Sequence, residues 1–292
     1  MTTQPLNPGW TPRRVALTWP LGIVRPGVIL AAAYLALVVL AALFPGLLAP
    51  HNPLTITTAP PFVRPFQSPQ YILGTDEDGR DMLSRMIYGA RPSLEMGLGA
   101  TGIGVIGGTT LGLLAGLGGR ITETVIMRLI DVVLSIPDLL LALVVIAILG
   151  TGTVDALVAV GVASVPAYAR MVRAQTQVVR RAAYVEAAAG LGIRRFAVIW
   201  RHMMPNAVKP VLVLATIGIG TAIGYGASLS YLGLGTKPPA PEWGSMLAEG
   251  IQFINNDWVM VFIPGIAITL TVLCVTVIGR DLRRRTEGRT AG

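Results

Sequence analysis

The chain has 292 residues, 53% of them hydrophobic and only 13% charged, with a formal net charge of +8 and a mean hydropathy of +0.65. So little charge cannot coat a soluble domain, and apolar runs on the scale of the ~30 Å bilayer core make the chain an integral membrane protein. The positive excess then speaks first to topology and to anionic headgroups, and does not call for nucleic acid.

Six spans are predicted, at roughly 27–44, 94–118, 129–149, 153–169, 207–232 and 258–279, giving an all-α polytopic protein with six transmembrane helices. Residues 1–26 form an N-terminal segment carrying Arg13, Arg14 and Arg25. The first span (27–44) reads as an uncleaved anchor, because Ala42-Leu43-Phe44-Pro45 is a poor cleavage site. Residues 45–93 form one long loop. Its proline-rich first half (Pro45, Pro50, Pro53, Pro60, Pro61, Pro65, Pro69) predicts irregular backbone. In its second half Thr75 and Asp78 have capping-box spacing, and Met82, Leu83, Met86 and Ile87 share a face of the following helix. Asp81 and Arg85, four apart, are placed on that helix's polar side, so a short amphipathic helix at the interface is expected. The run Asp76-Glu77-Asp78-Gly79 lacks the further ligands of a calcium loop.

The second span repeats a small residue every fourth position: Ala100, Gly104, Gly108, Gly112 and Gly116. One helix face is thereby smooth enough for close approach of another helix. Gly220, Gly224 and Ser228 repeat the device in the fifth span, and both spans are expected in the packed core. In the third span Arg128 and Asp131 have the spacing of a structural pair near the interface. Asp138 lies deeper, beside Pro137. An ionisable group there must face protein or water, which leaves open helix packing and a solute path.

Orientation follows from the 23 Lys and Arg residues, of which 18 fall on one side, including eight between Arg170 and Lys209 and five after the last span. Both termini and the loop 170–206 are therefore expected in the cytoplasm, with 280–292 a basic tail. Seven arginines bar that loop from the bilayer, yet it reads as two helices, 184–191 and 194–202, broken at Gly192. Small alanines beside a sharp turn make a low surface that fits a groove on a soluble partner. On the other side, Trp243 follows the stiff run Pro238-Pro239-Ala240-Pro241-Glu242, and suits either an interfacial anchor or a plug over a cavity.

The chain carries no G-x-x-x-x-G-K-[ST] loop, no channel filter sequence, and no visible acid, base and nucleophile set. His51 and His202 are isolated in sequence, and Cys274 is the lone cysteine, so nothing points to an enzyme or a metal centre.

Four stretches carry a resemblance: LGTDEDGRDMLSRMIYGARPSL (73–94), MRLIDVVLSIPDLLLAL (127–143), YVEAAAGLGIRRFAVIWRHMMPN (184–206) and YLGLGTKPPAPEWGSML (231–247). Glu186-Ala187-Ala188, then Gly192, then Met204-Pro205 resembles the EAA motif of ABC importer permeases, and more narrowly the C-type permease of dipeptide, oligopeptide and nickel importers. His202 is similar to the peptide-importer branch. The resemblance implies a type I importer permease fold, with residues 94–279 as a five-helix core that includes the coupling loop 170–206. It implies partners too: a second permease in a heterodimer, two ATPases that bind ATP and Mg, and an external solute-binding protein or lipoprotein, in a bacterial inner membrane. This chain itself would bind no cofactor. Glu186, Ala187, Ala188, Gly192 and Pro205 would couple to the ATPase, while Asp138 and Trp243 would belong to the solute path or its gate. The expected cargo is a di- or oligopeptide, with a nickel chelate or haem as alternatives. A free-standing secondary transporter or channel is the alternative class, and it would need internal repeats or binding groups at the midplane.

Overall fold

The computed structural model describes residues 26–56 and 59–288, with the side chains of Glu186, Ala189, Arg195 and residues 286–288 outside the description. Arg13, Arg14, Arg25 and the last four residues lie outside it as well. The helices are α1 (Pro26–Leu43), α2 (Pro45–Leu48), α3 (Met82–Leu117), α4 (Arg120–Val133), α5 (Asp138–Leu149), α6 (Thr153–Arg180), α7 (Ala183–Gly190), α8 (Arg195–Val198), α9 (Met204–Tyr231), α10 (Trp243–Gln252) and α11 (Val259–Gly288). A π-helical turn, Ile199–Met203, joins α8 to α9. Among the described residues five helices are long and apolar enough to cross a membrane, and six if the bent pair α4 and α5 counts as one span.

Three boundaries differ from expectation. The amphipathic helix and the second span are one helix of 36 residues that runs through Pro92, so the division at 93 and 94 cuts a continuous element. The third span is broken: α4 and α5 meet at 92° across residues 134–137. With 12 residues, α5 is only about 18 Å long at 1.5 Å per residue, too short to cross the bilayer alone. Finally, the second helix of loop 170–206 is continuous with the fifth span. Pro205 offers no N–H to Arg201 and crowds its carbonyl, and the helix absorbs this by widening. Met204 N–H bonds Ile199 O, five residues back, and the Asn206 side chain donates to His202 O at 2.8 Å.

The core is a seam between α3 and α6. A Cβ on Gly104 would overlap Ser164 Oγ, and one on Gly108 would overlap Tyr168 Cβ. On Gly112 it would fall 2.6 Å from Ala169 O, and on Gly116 2.7 Å from Thr176 Cβ. Glycine alone lets these backbones meet, and the partner helix is in the same chain. The second stripe behaves differently. Gly220 faces α11, where Val272 O would lie 3.3 Å from an added Cβ, but Gly224 meets nothing within 4 Å. The close approaches of α9 come instead from Gly218 against Tyr168 and Gly226 against Met96.

A cap closes one end of the bundle. Thr75 does not cap α3; its hydroxyl donates to Pro60 O at 2.8 Å and accepts from Val63 N at 3.0 Å. The cap residue of α3 is Asp81, which accepts from Ser84 N at 3.1 Å and faces His51 Nδ1 at 3.3 Å. Asp81 and Arg85 are therefore not on a solvated face. Arg85 is 1% exposed, reaching Glu249 at 2.9 Å and Asp76 at 3.3 Å and donating to Pro239 O at 3.2 Å. Arg80 binds Asp76, Glu77 and Asp78 at 2.7, 2.9 and 2.8 Å. The acidic run is the wall of a buried ion network that ties α3 to α10. No cluster of three or more metal-ligating side chains occurs among the described residues.

Candidate functional site

A cavity of about 170 Å³ lies inside the bundle, between α3, α5, α6 and α9. Its walls are Thr101 from α3, Asp138 at the start of α5, Val160, Ala163, Ser164, Ala167 and Tyr168 from α6, and Gly218, Thr221, Ala222 and Tyr225 from α9. Apart from Asp138, these residues sit near the middle of long helices. The 92° break before α5 starts that helix at this depth, which is how an aspartate reaches the interior. Asp138 is one of the residues that line this cavity.

Trp243 is placed elsewhere. It is 3% exposed, donates from Nε1 to Met86 O at 2.9 Å and fits against Gly89, where an added Cβ would lie 3.0 Å from its ring. Glu242 caps α10 beneath it, accepting from Gly244 N and Ser245 N, each at 2.9 Å. Trp243 anchors α10 to α3 and is not among the residues that line the cavity.

The opposite end carries an elbow. α7 ends at Gly190, and two residues on Gly192 has a φ of +76°, the left-handed turn that glycine takes without strain. Ile193 N–H reaches back to Ala188 O at 3.3 Å and Leu191 N–H to Ala187 O at 3.0 Å, closing the helix. Val185, Ala188, Val198, Met203 and Ala207 bury one side of the elbow against Val179 of α6. Ala188 is only 7% exposed, so it packs the elbow and is not available to a partner; Ala187 is exposed. The Glu186 side chain lies outside the described ones. Pro205 sits within the continuous helix, behind the tip, and shapes the elbow through the π turn.

The tip is apolar. Leu191 is 82% and Phe196 71% exposed, with Ile193 and Trp200 beside them; the Phe196 and Trp200 rings lie 6.0 Å apart. Sequence reasoning built on the arginines passed over these residues. The signal was there, in large apolar side chains flanking a glycine turn inside a loop too basic to enter the bilayer. Arg180, Arg181, Arg194 and Arg201 of the same loop are exposed as well. Arg170 and Arg173 are used internally, on α4. Arg173 Nε donates to Glu123 at 2.9 Å, Gln177 donates to the same carboxylate at 2.7 Å, and Arg170 pairs with Asp131. Asp131 thus bonds across to α6, where a pair with Arg128 was expected.

Comparison with known proteins gives one family. Residues 108–288 match the family described as binding-protein-dependent transport system inner membrane component. The Di/tripeptide transport system permease protein DppC of Pseudomonas aeruginosa (strain UCBPP-PA14) is 40% identical over 255 residues, covering 86% of this chain and 84% of that protein. The Glutathione transport system permease protein GsiD of Pectobacterium atrosepticum is 42% identical over 212 residues, covering 72% and 70%. Among solved structures, an inward-facing form of the MetNI methionine ABC transporter matches with a TM-score of 0.57 at 21% identity, covering 70% of this chain and 97% of that one. At that identity the match speaks to the fold alone, which is the type I importer permease fold. With a membrane bundle, a central cavity and an exposed elbow in one chain, the protein belongs to the family of inner-membrane components of binding-protein-dependent transport systems: a multi-pass, non-catalytic permease subunit that works with an ATPase and a solute-binding protein.

Proposed function

We propose that the chain is the C-type permease of an ATP-driven importer that carries di- and oligopeptides delivered by an external binding protein. The observation that carries the coupling mechanism is the continuity of the elbow with the cavity wall. From Arg195 through the π turn to Tyr231 the backbone is one helix, so a push on Phe196 is transmitted to Gly218, Thr221 and Tyr225. The apolar tip seats in a groove of an ATPase and the exposed arginines of the loop pair with acids around it. ATP and Mg bound between two ATPase subunits close that dimer, the elbow moves, and the cavity turns outward. The arginine-rich end is cytoplasmic and the cap is external, in line with the distribution of basic residues. Complete ligand sites run to about 300–1,000 Å³; the cavity in this chain, about 170 Å³, is one part of the path, and a second, different permease completes it. The peptide cargo rests on relatives at about 40% identity whose names state di- or tripeptide and dipeptide transport.

Crosslinking tests the seat. In a Cys274→Ala background, Ala187→Cys should crosslink to cysteines lining the ATPase groove, with a yield that changes on adding nucleotide. A transporting complex in which no groove position reacts would refute the coupling role of the elbow. Ala188→Cys, buried within the elbow, should react poorly.

A further inference from the structure

We infer that Asp138 makes the cavity a binding site for the ammonium group of the transported solute, which in a peptide is its free amino end. The inference deepens the peptide reading above and rests on it. Asp138 is the one charged side chain in the cavity wall, with no Lys, Arg or His among the lining residues. No ion pair engages it among the described residues. It occupies the first turn of α5, where the helix dipole stabilises negative charge. Asp138 is half-buried in a mostly apolar wall, and the natural counter-ion for an unpaired carboxylate there is one that arrives and leaves.

The remaining wall agrees with a cation. Tyr168 and Tyr225 present phenol rings, whose faces attract an ammonium group. Thr101 is 6% exposed, and its buried Oγ1 has no hydrogen-bond partner; the hydroxyl can accept from an ammonium N–H, although it can also donate. Ser164 Oγ, by contrast, is already engaged with Gly161 O at 2.8 Å. An anionic group entering the same space would face the Asp138 carboxylate in a medium of low dielectric constant, which repels it. The site is therefore selective by charge, and its hydroxyl-bearing and small apolar walls leave the rest of the solute loosely specified.

Two measurements on the complete complex in liposomes test this. First, Thr221→Cys in the Cys274→Ala background reports the field in the cavity. Its rate with 2-aminoethyl methanethiosulfonate relative to 2-sulfonatoethyl methanethiosulfonate, normalised to a free thiol, should fall about tenfold when Asp138→Asn is added. Asp138→Glu should keep the ratio. An equal ratio with Asp138 and Asp138→Asn, or an equal loss with both substitutions, overturns the proposal. Second, uptake is compared for Ala-Ala, N-acetyl-Ala-Ala and N-acetyl-Ala-Lys, each delivered on the binding protein. Asp138→Asn should raise KM about tenfold for Ala-Ala and should not raise it for N-acetyl-Ala-Ala, an anion that the substitution relieves of a repulsion. A KM rise for N-acetyl-Ala-Lys as well would mean that the site reads any ammonium group; no rise would restrict it to the amino end. A wild-type complex that carries none of the three overturns the peptide reading and this inference with it. Wild-type uptake of Ala-Ala that Asp138→Asn does not impair overturns this inference alone.

Discussion

At Gly112 a single hydrogen separates α3 from the backbone of α6: an added Cβ would lie 2.6 Å from both Ala169 O and Val172 Cβ. Overpacking of this kind costs about 1–3 kcal/mol or more, so Gly112→Leu should lower the melting temperature of the purified chain in detergent by several degrees or abolish its expression. Gly224→Leu, with open space around it, should leave that temperature unchanged. If the two variants melt alike, the α3–α6 seam is not what holds the bundle. Trp243→Ala should open the cap at a cost of about 3–5 kcal/mol, seen as faster proteolysis of the loops around α10. The ion network has a pH signature. Burial holds the Glu249 carboxyl above the ordinary range against the pull of Arg85, and Glu77 is raised for the same reason. A carboxyl raised by folding favours the folded cap when protonated. That contribution is complete below the ordinary value of about 4.3 and is lost as pH rises through the raised one. Corrected hydrogen exchange in residues 74–85 and 243–252 should be slower near about pH 5 than about pH 8, and Glu249→Gln should reduce the difference. Faster corrected exchange in acid would contradict this.

At the scale of elements, apolar runs and the four-residue glycine period were legible because both depend on neighbours along one helix. Breaks at proline were not. Pro92, Pro166, Pro210 and Pro264 all lie inside helices, as membrane helices packed in a bundle tolerate. The one real break in a span, before α5, occurs where Ser135, Ile136 and Pro137 follow the end of an amphipathic α4. The cap was misread for another reason. Arg85 and Glu249 are 164 positions apart, so spacing along α3 assigned to water a face that tertiary packing buries. The turn at Gly192 needed only local chemistry and was read correctly. Its φ of +76° costs a β-branched residue roughly 1–2 kcal/mol, whereas asparagine tolerates it. Gly192→Val should therefore reduce transport at equal membrane levels, while Gly192→Asn keeps most of it. Equal transport by both would show that the elbow does not need the turn.

Across the whole molecule, one helix from Arg195 to Tyr231 links the exposed tip to the cavity, and the seam of α3 on α6 gives it a stiff wall to move against. Legibility follows the same division. Asp138 stood out in the sequence as a charge in an apolar block, but its companions Thr101, Tyr168, Thr221 and Tyr225 come from three helices and only folding collects them. The alternative class, a carrier that works alone, differs from this account in what drives uptake. The most direct measurement is accumulation of labelled Ala-Ala in liposomes that hold either this chain alone or the complete complex with its partner permease, ATPases and loaded binding protein. The account predicts accumulation only in the complete complex and only with ATP. Uptake by the chain alone, or by the complex without nucleotide, would contradict it.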